Sequence, residues 1–318
     1  MMQTAVVALG GNAITGQSDT GTIPEQFART MESLASVARL AREGCNLVIT
    51  HGNGPQVGNA LLRVEMTRNR VYPLPLSIID ADIQGGMGYM IQQCLGRRLA
   101  QEGIDRRVVT VVTQVVVDRN DPSLSNPTKP IGPFYDDADV PELRDLGWVV
   151  REDAGRGYRR FVPSPVPLRI VERETIRLLV ENGVIVIAAG GGGVPVIEED
   201  DGSLTGVEGV IDKDRASVIL ARDVDADLLL FLTDVDQVAL NYGTPQQQDL
   251  ETLTSDDARR YLSEGHFPPG SMGPKIEAAI EFLESGGEVA IVTSIDQASQ
   301  AVDGSAGTRI VGSPRGRG

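Results

Sequence analysis

Histidine and cysteine are nearly absent, with two of each in 318 residues. Cys45, His51, Cys94 and His266 are scattered, so they make neither a zinc-ligand set nor a disulfide scaffold. No window reaches the roughly 18 apolar residues of a membrane-spanning helix. The opening MMQTAVVALGG lacks the basic region and long apolar run of a targeting segment, and a soluble cytoplasmic protein is expected. Positive charge is also short. Acidic residues number 44 against 29 basic ones, giving a net charge of −15 and a pI near 4.6. Such a chain is poorly suited to nucleic acid or to an anionic membrane. What is present is 41% hydrophobic residues and 36 glycines without collagen periodicity. That excludes a disordered chain and leaves one large α/β unit or two modest domains.

Lysine is the scarcest charged residue. Only Lys129, Lys213 and Lys275 occur, beside 26 arginines. Genomic composition accounts for the arginines but not for the three exceptions. Arginine replaces lysine readily on a solvated face. It does so badly where a compact ammonium must meet a phosphate.

Along the chain, apolar runs alternate with amphipathic segments. TAVVALG (residues 4–10) is expected to be a strand. Phe27, Met31, Leu34, Val37 and Ala41 have helical spacing, and Gly44 is a natural stop. Residues 46–50 form the next expected strand, so the unit is β-α-β and the sheet parallel. Helices are expected over 87–101, 170–182, 214–223 and 276–286. Strands are expected over 108–117, 184–190, 227–235 and 288–293. Residues 118–168 break the texture with prolines, glycines and the only tryptophan, Trp148. They read as a small lobe inserted in the main sheet, with a hairpin turning at AGRG (154–157). The tail from 312 to 318 is expected to fray.

Three expected strand ends run into glycine: Gly10-Gly11, Gly52-Asn53-Gly54, and Gly190 to Gly193. Glycine lets backbone N–H groups converge, and a following helix adds positive potential. Loops at the carboxyl edge of a parallel sheet are where ligands bind. A single such loop is a tight turn. Three together favour a polyanion, most simply nucleotide phosphate. No Walker motif and no protein-kinase signature is present.

Each lysine has a pointed context. Lys213 lies in VIDKDRAS at a helix entry, where Asp214 can hold its ammonium and separate it from other cations. The alternative is a charged helix start. Lys275 lies in GSMGPKIE, where Gly270, Ser271, Met272 and Gly273 can offer backbone donors to phosphates. A cation at a helix start opposes the helix dipole, which a bound anion would offset. Lys129, bracketed by Pro127 and Pro130, is either aimed over a cleft or an exposed loop residue. Asn12 and Asn53 suit phosphate or acceptor oxygens. Asp234 and Asp236 either shape a nucleotide pocket or cap a turn. His51 either positions its glycine loop or is structural.

The segments ALGGNA (8–13), THGNGPQVG (50–58), TQVVVD (113–118), NPTKPIGPFY (126–135), AAGGGGVPV (188–196), GVEGVIDKD (206–214), LTDVD (232–236), GSMGPK (270–275) and GTRI (307–310) together resemble the carbamate kinases of the amino acid kinase family. The resemblance runs essentially end to end. It implies a single domain over 1–318: a three-layer α/β/α sandwich around a mostly parallel open sheet, with 118–168 as a small protruding subdomain. It also implies a homodimer. Lys129, Lys213 and Lys275 match the family's active-site lysines, and Asp214 its organising aspartate. Gly10, Gly11, Asn12, Gly52 and Asn53 match its phosphate- and acceptor-side loops, joined here by Gly191 and Gly192. The implied reaction is ATP + carbamate ⇌ ADP + carbamoyl phosphate, generally run toward ATP in arginine or agmatine breakdown. Mg²⁺ would be bound mainly through the nucleotide phosphates, with no protein metal site.

Two other readings stand beside it. One is a related kinase of the same fold acting on a small carboxylate or phosphonate. A larger acceptor would need a wider pocket and often a cation for its second anionic group. The other is a non-catalytic nucleotide sensor, against which the three retained lysines argue.

Overall fold

A computed structural model of the chain describes residues 3–11, 14, 21–153, 157–268 and 270–313. The first third runs β1 (Thr4–Leu9), α1 (Ile23–Ser33), α2 (Ala35–Arg42), β2 (Asn46–His51), α3 (Gly54–Thr67), α4 (Leu76–Gln101) and β3 (Val108–Thr110). The middle holds β4 (Gln114–Val117), α5 (Pro122–Ser125), β5 (Lys129–Tyr135), α6 (Val140–Asp145), β6 (Val149–Glu152), β7 (Tyr158–Val162), β8 (Pro167–Ile170), α7 (Arg173–Glu181), β9 (Ile185–Ile187), β10 (Val194–Glu198) and β11 (Leu204–Gly206). The remainder is α8 (Lys213–Asp223), β12 (Leu228–Thr233), β13 (Val238–Leu240), β14 (Gln248–Leu250), β15 (Thr252–Thr254), α9 (Ser255–Ser263), α10 (Met272–Glu284), β16 (Val289–Ser294), α11 (Ala298–Val302) and β17 (Thr308–Val311).

Eight strands form the central sheet in the order β15-β17-β16-β12-β1-β2-β9-β3. Only the β16–β17 pairing is antiparallel. Each central strand is buried on both faces. On β1, Ala5, Val7 and Leu9 enter one core and Val6 and Ala8 the other. On β12, Leu228, Leu230 and Leu232 oppose Leu229 and Phe231 in the same way. Continuous apolar runs rather than alternation are the mark of such strands. One core takes α2, α4 and α11, the other α7, α8 and α10, so the architecture is a three-layer α/β/α sandwich.

A second sheet has the order β11-β10-β4-β8, and a third, antiparallel, the order β5-β7-β6. The third sheet stands apart and packs on α3, where Ile131 joins Val57 and Leu61 in a separate apolar cluster. β6 and β7 pair as a hairpin, closed by Asp153 N–H donating to Gly157 O; residues 154–156 of its turn lie outside the described residues. Of the tail, Ser313 is fastened to Ser255 and Asp256, and 314–318 lie outside the described residues.

Several sequence expectations change. The run 108–117 is two strands in two different sheets, broken at 111–113. The first helix is two, bent at Leu34. The helix expected at 87–101 begins eleven residues earlier, and residues 167–170 are a strand preceding the helix expected from 170. α3 and the short strands β10, β11, β13 to β15 and β17 were not marked by any run.

Candidate active site

Four neighbouring strands, β12, β1, β2 and β9, end side by side at the carboxyl edge of the sheet. Their continuations are Asp234, Gly10-Gly11, Gly52-Asn53 and the run Gly190 to Gly193. α8 enters beside them. Asp212 is its N-cap, with the side chain accepting from Asp214 N–H at 3.0 Å. The helix is tied back to β2 because Ser217 Oγ lies 2.8 Å from Thr50 Oγ1 and donates to Lys213 O.

At this entry Asp214 sits between two ammoniums. Lys213 Nζ donates to its Oδ1 at 2.6 Å and Lys275 Nζ to its Oδ2 at 2.9 Å. Asp214 is 4% exposed, and both lysines are largely buried. Burial opposes ionisation of Asp214, but Lys213 and Lys275 outweigh it and bring the carboxyl to about 2. Burial likewise pulls the Lys213 ammonium below its usual range; Asp214 opposes that and Lys275 adds to it. Residues 62 positions apart in sequence thus share one counter-charge. Lys129, on β5 of the separate sheet, reaches Asp212 Oδ2 at 3.1 Å, so all three lysines converge on the 212–214 segment.

A cavity lies on each side of the triad. One, of about 380 Å³, is lined by Gly11, Gly52, Asn53, Gly191, Gly270, Lys129, Lys213 and Asp214. The other, of about 200 Å³, is lined by Asp234, Ser271, Met272 and Lys275, with Gln237, Tyr242 and Phe267. Most of the residues singled out in the sequence therefore border one cavity or the other. Asn12 lies outside the described residues.

Gly10, Gly192 and Gly273 line neither cavity, and the expectation of convergent glycine donors needs correction. The N–H groups of Gly10, Gly52, Gly192 and Gly273 are spent on Leu232 O, Leu9 O, Ala189 O and Pro268 O. These glycines serve close approach instead. A Cβ on Gly10 would lie 2.8 Å from Leu232 O, one on Gly191 2.0 Å from the Asn53 amide, and one on Gly192 2.5 Å from Ile211 O. The Lys213 side chain passes over Gly52, with Cε 3.6 Å from where a Cβ would stand.

His51 is buried, with Nδ1 3.2 Å from Gly52 O. Burial, reinforced by Lys213, holds its pKa at about 4, so the imidazole is neutral and its Nδ1–H donates to that carbonyl. Its ring lies against Gly190, where a Cβ would meet Nε2 at 2.2 Å.

Sequence reasoning missed Asp212, Arg159, Tyr242 and Phe267. Asp212 carried a signal as an aspartate one residue before a helix. Arg159 borders the larger cavity but is engaged: it donates to Gly132 O and Asp153 and stacks over Phe134.

The amino acid kinase family model matches residues 3–294. A carbamate kinase of Thermococcus kodakarensis is 50% identical over 315 residues, covering 98% of this chain and 99% of that protein. One from Halobacterium salinarum is 47% identical over 314 residues with the same coverage. Among solved structures, the carbamate kinase from Giardia lamblia bound to AMP-PNP superposes with a TM-score of 0.93 at 39% identity, covering 98% of this chain and 99% of that one.

Proposed function

The chain belongs to the amino acid kinase family, and to the carbamate kinases within it, and we propose that it transfers a phosphoryl group between ATP and carbamate, working toward ATP in arginine or agmatine breakdown. The observation that carries the proposal is the buried Lys213–Asp214–Lys275 triad standing between two cavities. One cavity takes the nucleotide along Asp234, Ser271 and Met272. The other takes the small acceptor beside Asn53 and Lys129.

The chemistry suits these residues. In the direction of carbamoyl phosphate synthesis, a carbamate oxygen forms a bond to the γ-phosphorus as the bond to the bridging oxygen of ADP breaks. Carbamate is already an anion and needs no general base, so a neutral His51 is no handicap. The difficulty is repulsion between anions and charge gathering on the phosphoryl and bridging oxygens. Two largely buried ammoniums counter that charge, and Asp214 holds both in place. With a net charge of −15, the molecule would otherwise repel its substrates.

Mg²⁺ enters as part of the nucleotide substrate, bound through its phosphates. No group of three or more His, Cys, Asp or Glu side chains gathers as a resident site among the described residues. A small acceptor is favoured because Arg159, which lines the larger cavity, is already paired with Asp153. We place the enzyme in the cytoplasm as a homodimer. Exposed Leu62 and Met66 on α3, Tyr72 after it, and Ile78 and Tyr89 on α4 support assembly through that side.

The test is a coupled assay for ATP from ADP, Mg²⁺ and carbamoyl phosphate, run beside acetylglutamate, aspartate and fosfomycin as phosphoryl acceptors from ATP. ATP formation with no turnover of the larger acceptors supports the proposal. A folded, ADP-binding protein that forms no ATP overturns it.

A further inference from the structure

The break at 111–113 has a chemical purpose beyond turning the chain. The polypeptide leaves the central sheet after β3 and enters the second sheet at β4, and Thr113, fully buried, stands at the crossing. Its hydroxyl accepts from Ala189 N–H at 2.9 Å and donates to Val111 O at 2.8 Å. Its carbonyl accepts from Val194 N–H at 2.9 Å. Ala189 and Val194 flank the run Gly190 to Gly193, so one residue pins both ends of the third glycine loop.

Thr113 is itself held. The Gln84 side-chain amide, 2% exposed on α4, accepts from Thr113 N–H at 2.9 Å and donates to Thr113 O at 3.1 Å. Gln84 thus stands in for a strand partner where the ladder is interrupted. Ala189 has φ of +49°, a left-handed conformation uncommon for alanine. Such a conformation persists where surrounding contacts determine it, and the hydroxyl of Thr113 is the contact on its N–H. The pinned loop in turn packs Gly190 on the His51 ring and Gly191 on the Asn53 amide. Asn53 and Gly191 both line the acceptor-side cavity.

We propose that Thr113, held by Gln84, is a positioning residue for the acceptor side of the site: it fixes the glycine loop that sets His51 and Asn53. This rests on the cavity beside Asn53 being the carbamoyl phosphate pocket. Thr113 touches no substrate, so its effect reaches the reaction only through the loop.

Thr113→Val keeps the shape and removes the hydroxyl; Thr113→Ser keeps the hydroxyl and removes a methyl. For Thr113→Val, kcat/KM for carbamoyl phosphate should fall about tenfold or more, while ADP affinity by calorimetry stays within about twofold. Thr113→Ser should return kcat/KM to within about threefold of the parent. Gln84→Met acts on Thr113 from outside the loop and should give the same split between acceptor and nucleotide, which keeps the test open if Thr113→Val does not fold. The inference is overturned if folded Thr113→Val or Gln84→Met keeps the parent kcat/KM. It is also overturned if ADP affinity falls in parallel, or if Thr113→Ser is as impaired as Thr113→Val. A parent protein that forms no ATP from carbamoyl phosphate would instead overturn the reading of the site.

Discussion

Lys213 and Asp80 are both buried charged-type residues, and their surroundings send them opposite ways. Lys213 keeps its charge through Asp214 at 2.6 Å and shares that carboxylate with Lys275. A guanidinium is wide and planar and would crowd the second cation. Lys213→Arg should therefore lower kcat for ATP formation about 100-fold, near 2.7 kcal/mol, with a weaker effect on ADP affinity. Steady-state kinetics with calorimetry and circular dichroism decide it. A folded variant within about threefold of the parent would reduce Lys213 to a general source of positive potential. Asp80, on α4, has no such partner among the described residues. Its Oδ2 is buried without a hydrogen bond, and burial, with Glu208 adding its charge, raises the carboxyl from 3.8 to about 8. Between those values the folded chain holds a proton that the unfolded chain has released, so this group's stabilisation falls as pH rises toward 8. Asp80→Asn removes the titration. The melting temperature of the variant relative to the parent should be higher at pH 8.5 than at pH 5. An equal difference at both would show that Asp80 ionises normally.

Elements were legible where burial made them uniform and illegible where a distant side chain decided. β1, β2, β9, β12 and β16 are covered on both faces, so their apolar runs announce them. The run VVTVVTQVVV has strand propensity throughout, and what divides it is the amide of Gln84, 29 residues earlier. The start of α4 was hidden because the buried Asp80 and Gln84 interrupt its apolar face. Of the strands missed, β10, β11, β13 to β15 and β17 are three to five residues long and carry too little periodicity to read, while β5, seven residues long, is masked by Pro130, Gly132 and Pro133 in its sequence. In the site, lysine scarcity located the three cations. Asp212 was overshadowed by its neighbours, and the glycines were found for a donor role although four of them spend their N–H groups within the fold. Gly88 illustrates a glycine whose reason lies in packing between elements. A Cβ there would fall 2.2 Å from Thr110 Cγ2 on β3, so α4 lies against the sheet without room for alanine. Gly88→Ala should destabilise by roughly 1–3 kcal/mol despite alanine's better helix propensity. Combining it with Thr110→Ala should recover part of that loss, because only the 3.0 Å approach to the Thr110 Cβ remains. Urea unfolding of the single and double variants reads both effects. An unchanged or raised midpoint for Gly88→Ala would mean that α4 can back away from β3 at little cost.

At the scale of the molecule, the β5-β7-β6 sheet is a body beside the sandwich whose fastenings differ in kind. Against α3 it presents an apolar contact, Ile131 on Val57 and Leu61, with Gly58 and Gly132 in close approach. Against the 207–214 segment it presents ion pairs and one backbone bond: Lys129 to Asp212 at 3.1 Å, Arg160 to Glu208 at 3.6 Å, and Val210 N–H donating to Pro163 O. Arg160 is also stacked over Trp148 within this lobe, at 4.5 Å. The apolar contact has no charge for a substrate to compete with, whereas the Lys129 pair is 40% exposed on the lysine side and borders the cavity beside Asn53. An anionic acceptor offers Lys129 a second partner, and a shift of Lys129 from Asp212 loosens the tie between β5 and the 212–214 segment. The lobe should therefore turn about its α3 contact when both substrates are bound, moving the 136–153 end relative to the sandwich. Spin labels at exposed Asp137 on the lobe and exposed Arg222 on α8 would report the movement. AMP-PNP with carbamate should shift their distance distribution by a few ångströms, and AMP-PNP alone should not. Lys129→Ala should abolish the shift while leaving the AMP-PNP affinity within about twofold. Identical distributions in the parent protein with and without carbamate would mean that the lobe is a rigid wall and that Lys129 serves the site from a fixed position on Asp212.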